Sequence, residues 1–340
     1  MTELNQQCRI CGNKADNQRH EAREMFVGKR QPFAYIECAR CQTVQIEEVP
    51  DLTPFYASDY YSFQPVDTVS DARPFSRLRR SVGRFLRARA ADRFMSTAGA
   101  LSRAITEQLA HVAGGLFVGF PDYLQNVPLD LRVNRNSRVL DVGSGSGHTL
   151  LSLSHFGFRS LLGVDPFLPY SKQQLANVKL LRANLVDVTG RFDLILANHS
   201  VEHVPNTLGI LQEIRRLLAD QHYAIVRMPV LAAAWHIYGV DWVQLDAPRH
   251  LCLFTEQTFK RLAVTAGFEV EHVRYDSTAF QFWGSEQYRM DIPLLDERSY
   301  LRKPELSKFS EEEIRGFEQL ASELNVRRQG DQAVFYLRRQ

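Results

Sequence analysis

From residue 137 onward, short apolar runs alternate with stretches in which apolar residues recur every three or four positions. The runs "RVLDV", "LLGVD", "VKLLRAN", "FDLILAN" and "HYAIVRMPV" have the length of strands. Amphipathic stretches over roughly 147–157, 169–177 and 207–219 predict helices between them. Strands alternating with helices imply βαβ units, hence a parallel sheet with helices on both faces. A later helix starts at Thr255, buries Phe259, Leu262 and Ala266, and stops at Gly267, with "VEHVRYD" as the next strand. Ser310 and Glu313 form a capping box, and Phe309 and Ile314 sit where a hydrophobic staple would, so another helix begins there. "QAVFYLRR" reads as the final strand. The expected class is α/β, Rossmann-like and doubly wound.

Residues 1–55 lack this alternation. They carry two C-x-x-C pairs, Cys8/Cys11 and Cys38/Cys41, on either side of the strand-like "PFAYIEC". Two such knuckles can set four thiolates tetrahedrally around Zn²⁺, and a unit this small needs the metal to fold. Four sulfur ligands leave no open position, so that zinc is expected to be structural. Residues 56–135 read as a helical connecting segment, in which "RPFSRLRRSVGRFLRARAADRF" holds eight arginines against one aspartate. A helix with a solvated basic face accounts for this charge, as does contact with a membrane surface or an anionic lipid-linked substrate. Nucleic acid is not favoured, because no aromatic-interleaved signature accompanies the arginines. Residues 136–340 then form the α/β domain, with an insertion at 278–331.

Composition narrows the picture only a little. A 340-residue chain with 44% hydrophobic and 24% charged residues is an ordinary globular protein, and a net charge of +2 points to no particular partner. The polar start "MTELNQQCRI" and the absence of an 18-residue apolar run lead to an expected cytoplasmic location. In a reducing compartment, paired cysteines bind metal more often than they form disulfides. Cys252, in "HLCLF", reads as a small core residue.

The chemistry centres on "RVLDVGSGSGHTL", residues 138–150. A dinucleotide loop needs G-x-G-x-x-G, but the third glycine position is His148 in one register and Leu150 in the other. No lysine follows the glycines, so a P-loop is excluded too. What stands here is D-x-G-x-G-x-G: Asp141, Gly143, Gly145 and Gly147. A second acid, Asp165, ends the next strand, where a carboxylate can accept both hydroxyls of a bound ribose.

Together these residues resemble the class I S-adenosylmethionine-dependent methyltransferases over roughly residues 137–277. The resemblance implies an antiparallel last strand, at 332–339. It implies that Asp141, Gly143, Gly145 and Gly147 line the methionine and adenosine side of S-adenosylmethionine. Asp165 would hold the ribose and Asn184 the adenine, with Asn198 also on the cofactor side. A cysteine-pair module ahead of such a core is similar to a bacterial group of sugar, surface-glycan and secondary-metabolite methyltransferases. Members of that group acting on nucleotide-linked deoxysugars carry a further C-terminal domain for which this chain is too short.

The fourth strand runs into "LANHSVEHVPN", which would place His199, Glu202 and His203 on one face of a helix at i, i+3 and i+4. His250 lies in "APRHLCLFT", similar to a "PRHL"-type loop that closes over the acceptor pocket in family members. If the acceptor is a hydroxyl or activated carbon, His203 or His250 is a candidate base with Glu202 orienting it. Capping and packing against the cofactor explain the same residues, and whether the four bind a second metal is open. Trp283, Glu286, Tyr288 and Arg289 either contact a sugar or polar ring or seal an interface with the N-terminal module. The reading is methyl transfer to a small-molecule or glycan acceptor, at oxygen rather than carbon. The alternatives are an RNA or protein methyltransferase docked through the zinc module and arginine helix, or a non-catalytic scaffold.

Overall fold

The computed structural model describes residues 7–56, 120–125 and 127–339. Strands β1 (Gln18–Arg23), β2 (Pro32–Glu37) and β3 (Val44–Ile46) lie in the cysteine segment. Next come β4 (Arg138–Val142), α1 (His148–His155), β5 (Ser160–Val164), β6 (Lys172–Leu175), β7 (Val178–Leu181) and β8 (Phe192–Asn198). They are followed by α2 (Thr207–Leu217), β9 (Leu218–Pro229), α3 (Ala233–Tyr238), β10 (Cys252–Leu253) and α4 (Glu256–Thr265). The last elements are β11 (Phe268–Tyr275), α5 (Phe280–Arg289), α6 (Glu311–Val326) and β12 (Gln332–Arg339).

Eight strands form one sheet in the order β11-β12-β9-β8-β4-β5-β7-β6. β4 pairs in parallel with β5 and with β8, and β5 with β7. The sheet is mostly parallel with an antiparallel last strand, as expected for a Rossmann-like α/β fold. By internal contacts the described chain divides into two compact units. One holds residues 7–56, 199–211 and 226–335; the other holds 120–125, 127–198, 212–225 and 336–339.

In the second unit, Val139 and Leu140 of β4 and Leu194, Ile195 and Leu196 of β8 are fully buried. A parallel strand covered on both faces accepts an unbroken apolar run, which is why these segments do not alternate. The helix expected at 169–177 is not there. Lys172–Leu175 is instead β6, antiparallel to β7 through a tight turn at Ala176, whose φ is 53°. The side chain of Asn177 anchors that turn by accepting from Ser154 Oγ at 2.5 Å and donating to the Phe158 carbonyl. These tertiary bonds override the helix propensity of "SKQQLAN". α1 is shorter than expected, His148–His155.

In the first unit, a four-stranded sheet runs β1-β2-β3-β10. The fourth strand comes from "HLCLF": Cys252 stands opposite Gln45 and Leu253 opposite Val44, antiparallel to β3. Phe33, Tyr35, Val44 and Ile46 of the cysteine segment share one apolar core with Trp235, Trp242, Leu251, Leu253 and Phe282. Fewer than 50 described residues cannot bury a sufficient core alone. Here the core is completed by residues more than 180 positions further on. α5 is largely buried in the same unit, with Trp283 edge-on to Phe280 and Tyr238 Oη donating to Glu286 Oε1 at 3.0 Å. Residues 282–294 therefore act as packing, and the backbone of Leu294 and Leu295 bonds to Met25 and Phe26 of the cysteine segment.

The arginine-rich stretch at 73–94 lies outside the described residues. Among the described residues no helix is long and apolar enough to cross a membrane. The capping box is present: Glu313 N donates to Ser310 Oγ at 3.2 Å and Ser310 N to Glu313 Oε2 at 2.8 Å. Ser310→Ala should lower unfolding stability by about 1 kcal/mol, read from the denaturation midpoint, and leave cofactor affinity unchanged.

Candidate functional site

In the second unit, β4 ends at Val142 and the chain turns through Gly143, Gly145 and Gly147, with φ of 72°, 50° and 83°. Side chains are costly in that left-handed region, so the alternating glycines are a backbone requirement. A Cβ on Gly147 would also come within 2.9 Å of Leu180 Cδ2. The amides of Gly143 and Ser144 both donate to the Val164 carbonyl, at 2.8 and 3.2 Å, and fold the loop over the end of β5. Asp165 follows that strand. Its Oδ2 accepts from Gly145 N at 3.1 Å and its Oδ1 from Phe167 N at 2.8 Å. Asp165 thus closes the loop, a role its position in the sequence did not reveal.

Asp141 is 3% exposed and sits in β4 opposite Gly163. Burial, and next the charge of Asp165, push its carboxyl up to about 8. Burial also raises Asp165, against the pull of its two backbone amides. A pair of buried acids with raised pKa beside this loop is the pattern expected of a ligand site. The residues suit S-adenosylmethionine: beyond its glycines the loop carries only the small side chains of Ser144 and Ser146, and the lone pairs Asp165 retains can meet ribose hydroxyls. Asn184 is exposed beyond β7, where it precedes a short helical turn. Asn198 ends β8, and its Nδ2 donates to Tyr123 Oη at 2.7 Å. Tyr123, whose carbonyl accepts from Tyr336 Oη at 2.7 Å, carried no pattern that marked it in the sequence.

In the first unit, His199 begins the other group of candidates. Its φ of 47° breaks the chain direction, and only Val201–His203 form a short 3₁₀ turn. The shared helical face expected for His199, Glu202 and His203 is therefore absent. The residues still meet. His199 Nδ1 lies 3.3 Å from Glu202 Oε1, and Arg227 Nη1 lies 3.0 Å from His199 Nε2 while its Nε donates to Asp276 Oδ2 at 2.7 Å. His250 Nε2 stands 3.9 Å from Glu202 Oε1 and 3.7 Å from Asp246 Oδ2. The His203 and His250 rings meet edge-on at 4.7 Å. Burial raises the Glu202 carboxyl, but the neighbouring His199, His203 and His250 outweigh it and hold the group down at about 2. Burial, with the charge of His250, lowers His203 to about 4. Glu202 is thus an anion and His203 a neutral ring at neutral pH. Tyr56, Arg227, Asp246 and Arg249 complete this cluster, and none was singled out in the sequence.

The four cysteines are also in this unit, with all four sulfurs within 4.8 Å of one another. Sγ–Sγ distances are 3.6 Å for Cys8–Cys41 and 3.5 Å for Cys11–Cys38. Zinc bonded to sulfur at about 2.3 Å separates its tetrahedral ligands by about 3.8 Å, so the set fits that ion. The knuckles match: Gly12 N donates to Cys8 O at 2.9 Å and Gln42 N to Cys38 O at 2.8 Å. Hydrogen bonding to Cys41 and burial raise the Cys8 thiol, the response of crowded sulfurs that a cation would reverse. This cluster is tied to His250. Arg9, inside the first knuckle, donates to the carbonyls of Ile46 at 2.8 Å and Leu251 at 3.2 Å. Tyr35 Oη donates to the His250 carbonyl at 3.0 Å, and Thr258 Oγ1 to the Cys41 carbonyl at 2.6 Å.

The raised Asp141 carboxyl has a consequence for stability. Its folded pKa lies above the ordinary 3.8, so its ionisation opposes folding increasingly as pH rises from about 4 to about 8. Asp141→Asn should stabilise the cofactor-free protein by about 2 kcal/mol at pH 8 and by much less at pH 4, in denaturant melts at the two pH values.

A family model described as "Methyltransferase domain" matches residues 116–273. No curated protein matches the sequence. Among solved structures, an S-adenosylmethionine-dependent methyltransferase from Mesorhizobium loti is similar at 16% identity and TM-score 0.39, over 60% of this chain and 91% of that one. A cyclopropane synthase from Mycobacterium tuberculosis is similar at 13% identity and TM-score 0.38, over 59% of this chain and 78% of that one. Likenesses this distant carry no argument about the acceptor. The family match and the glycine loop that follows β4 agree, and residues 116–273 carry a methyltransferase domain.

Proposed function

We propose that the protein methylates a small-molecule or glycan acceptor (a sugar, nucleotide-sugar or surface-polysaccharide intermediate), at oxygen rather than carbon. The observation that carries the cofactor half is the positive-φ glycine loop closed by Asp165. When bound, S-adenosylmethionine supplies an electrophilic methyl group on sulfur. Gly143, Gly145 and Gly147 would lie along its methionine and adenosine, Asp165 would take the ribose hydroxyls, and Asn184 the adenine. An in-line displacement needs little beyond a positioned nucleophile and the exclusion of water. An acceptor hydroxyl also needs a proton acceptor, and His203 or His250 fills that role with Glu202 as the charge that orients it.

The four cysteines hold a structural Zn²⁺ in this reading. Their sheet is continued by β10, which follows His250 in the chain, so the metal supports a histidine of the acceptor side. The inward faces of β2 and β3 are committed to an apolar core, which supports a small acceptor over docking of RNA or protein.

Incubation with methyl-labelled S-adenosylmethionine and panels of nucleotide sugars, oligosaccharides, RNA and protein tests this. Label is expected in a sugar-bearing acceptor, and replacing the base by Gln at His203 or His250 should lower kcat about 100-fold while cofactor affinity holds. Label entering only RNA or protein would overturn the acceptor class. Cofactor binding without transfer to any acceptor would leave a scaffold.

A further inference from the structure

We propose that Arg227 and Asp276 are positioning residues for the proton-accepting step: they fix the His199 ring as a donor toward Glu202, which is thereby held facing His250. The effect on rate rests on the methyl-transfer reading above, whereas the geometry stands without it.

Arg227 grips His199 twice. Its backbone carbonyl accepts from His199 N at 2.8 Å, and its Nη1 lies 3.0 Å from His199 Nε2. The backbone of His199 has a φ of 47°, a conformation costly for a residue with a branched ring, and such strain persists where the surroundings over-determine it. A guanidinium has N–H donors only, so Nε2 has to accept and the ring's proton sits on Nδ1. Nδ1 lies 3.3 Å from Glu202 Oε1, so its N–H faces the carboxylate. It is nearer to that oxygen than His250 Nε2, which stands at 3.9 Å. With Nε2 already occupied by Arg227, His199 has no nitrogen left to take a proton from an acceptor. It positions Glu202, and the role of base stays with His203 or His250.

Arg227 is itself held. Its Nε donates to Asp276 Oδ2 at 2.7 Å, and Asp276 Oδ1 accepts from Gln332 Nε2 at 2.9 Å. Asp276 N also donates to the Gln332 carbonyl at 3.2 Å. The planar fork of an arginine serves two partners at a fixed angle, which the single ammonium of a lysine does not. The chain Asp276–Arg227–His199–Glu202 thus joins the segment after β11 to the turn after β8. Glu202 is fully buried, and its backbone carbonyl accepts from Leu251 N at 2.8 Å, next to His250. A fixed anion beside an imidazole favours the charge that the ring acquires on taking up a proton. The reading that competes is a purely structural ion pair between Arg227 and Asp276.

Nitrogen NMR of the full-length protein with isotope-labelled histidine, at neutral pH, tests the geometry, the His199 signals being those lost in His199→Gln. The expected wild-type pattern is a proton on Nδ1 and none on Nε2. That pattern should persist in Glu202→Gln, where Arg227 still occupies Nε2, and be lost in the Glu202→Gln/Arg227→Met double variant. A proton on Nε2 in the wild-type protein, loss of the pattern in Glu202→Gln alone, or its persistence in the double variant would each overturn the assignment. In the labelled-methyl assay, Arg227→Met should lower kcat by at least about 10-fold while KM and cofactor affinity hold, with circular dichroism as the check on folding. An unchanged kcat would overturn the positioning role and leave a structural ion pair. No transfer by the wild-type protein to any acceptor would remove the methyl-transfer reading, while the ring pattern still decides what Arg227 does to His199.

Discussion

The carboxylate of Asp165 does more than any other group to define the cofactor half of this protein. One of its oxygens holds the amide of Gly145 and the other that of Phe167, so the loop after β4 and the turn after β5 are fixed by one side chain. The positive φ angles of the glycines follow from that closure, because the loop must turn back over the end of β5 to reach it. Asp141 and Asp165 are both buried, and burial, followed by the charge of Asp165, raises the carboxyl of Asp141. A loop stabilised mainly by its own backbone would not need two buried acids.

The other unit follows a comparable logic with sulfur in place of carboxylate. Two matched knuckles bring four cysteines together, and Arg9, Tyr35 and Thr258 connect them to the segment that carries His250. Strand β10 completes the small sheet, so the cysteine segment and the "PRHL" loop are one structural element. A metal there would be structural in its coordination, yet its loss would be felt at the histidines. Glu202 joins the network through its backbone carbonyl, while its side chain collects three imidazoles within a fully buried setting.

Much of this was legible in the sequence. Glycine spacing, the cysteine knuckles and the Ser310 cap each depend on residues close in the chain, and the structure has a positive-φ glycine turn, a four-sulfur cluster and a capping box at those positions. The misreadings share a physical cause. "SKQQLAN" has helix-forming residues, but Asn177 bonds to residues some 20 positions away and makes a hairpin. The turn at His199 needs a left-handed residue that is not glycine, which no local rule foresees. Tyr123 and the β3–β10 pairing join residues about 75 and more than 200 positions apart, beyond the reach of periodicity.

The most direct measurement is amide hydrogen exchange across residues 138–167, with and without S-adenosylmethionine. Cofactor seated on this loop should slow exchange at Gly143–Gly147 and beside Asp165, and Asp165→Ala should abolish that protection while β8 remains protected. Exchange at the loop that is unchanged by saturating S-adenosylmethionine would contradict the assignment of the site.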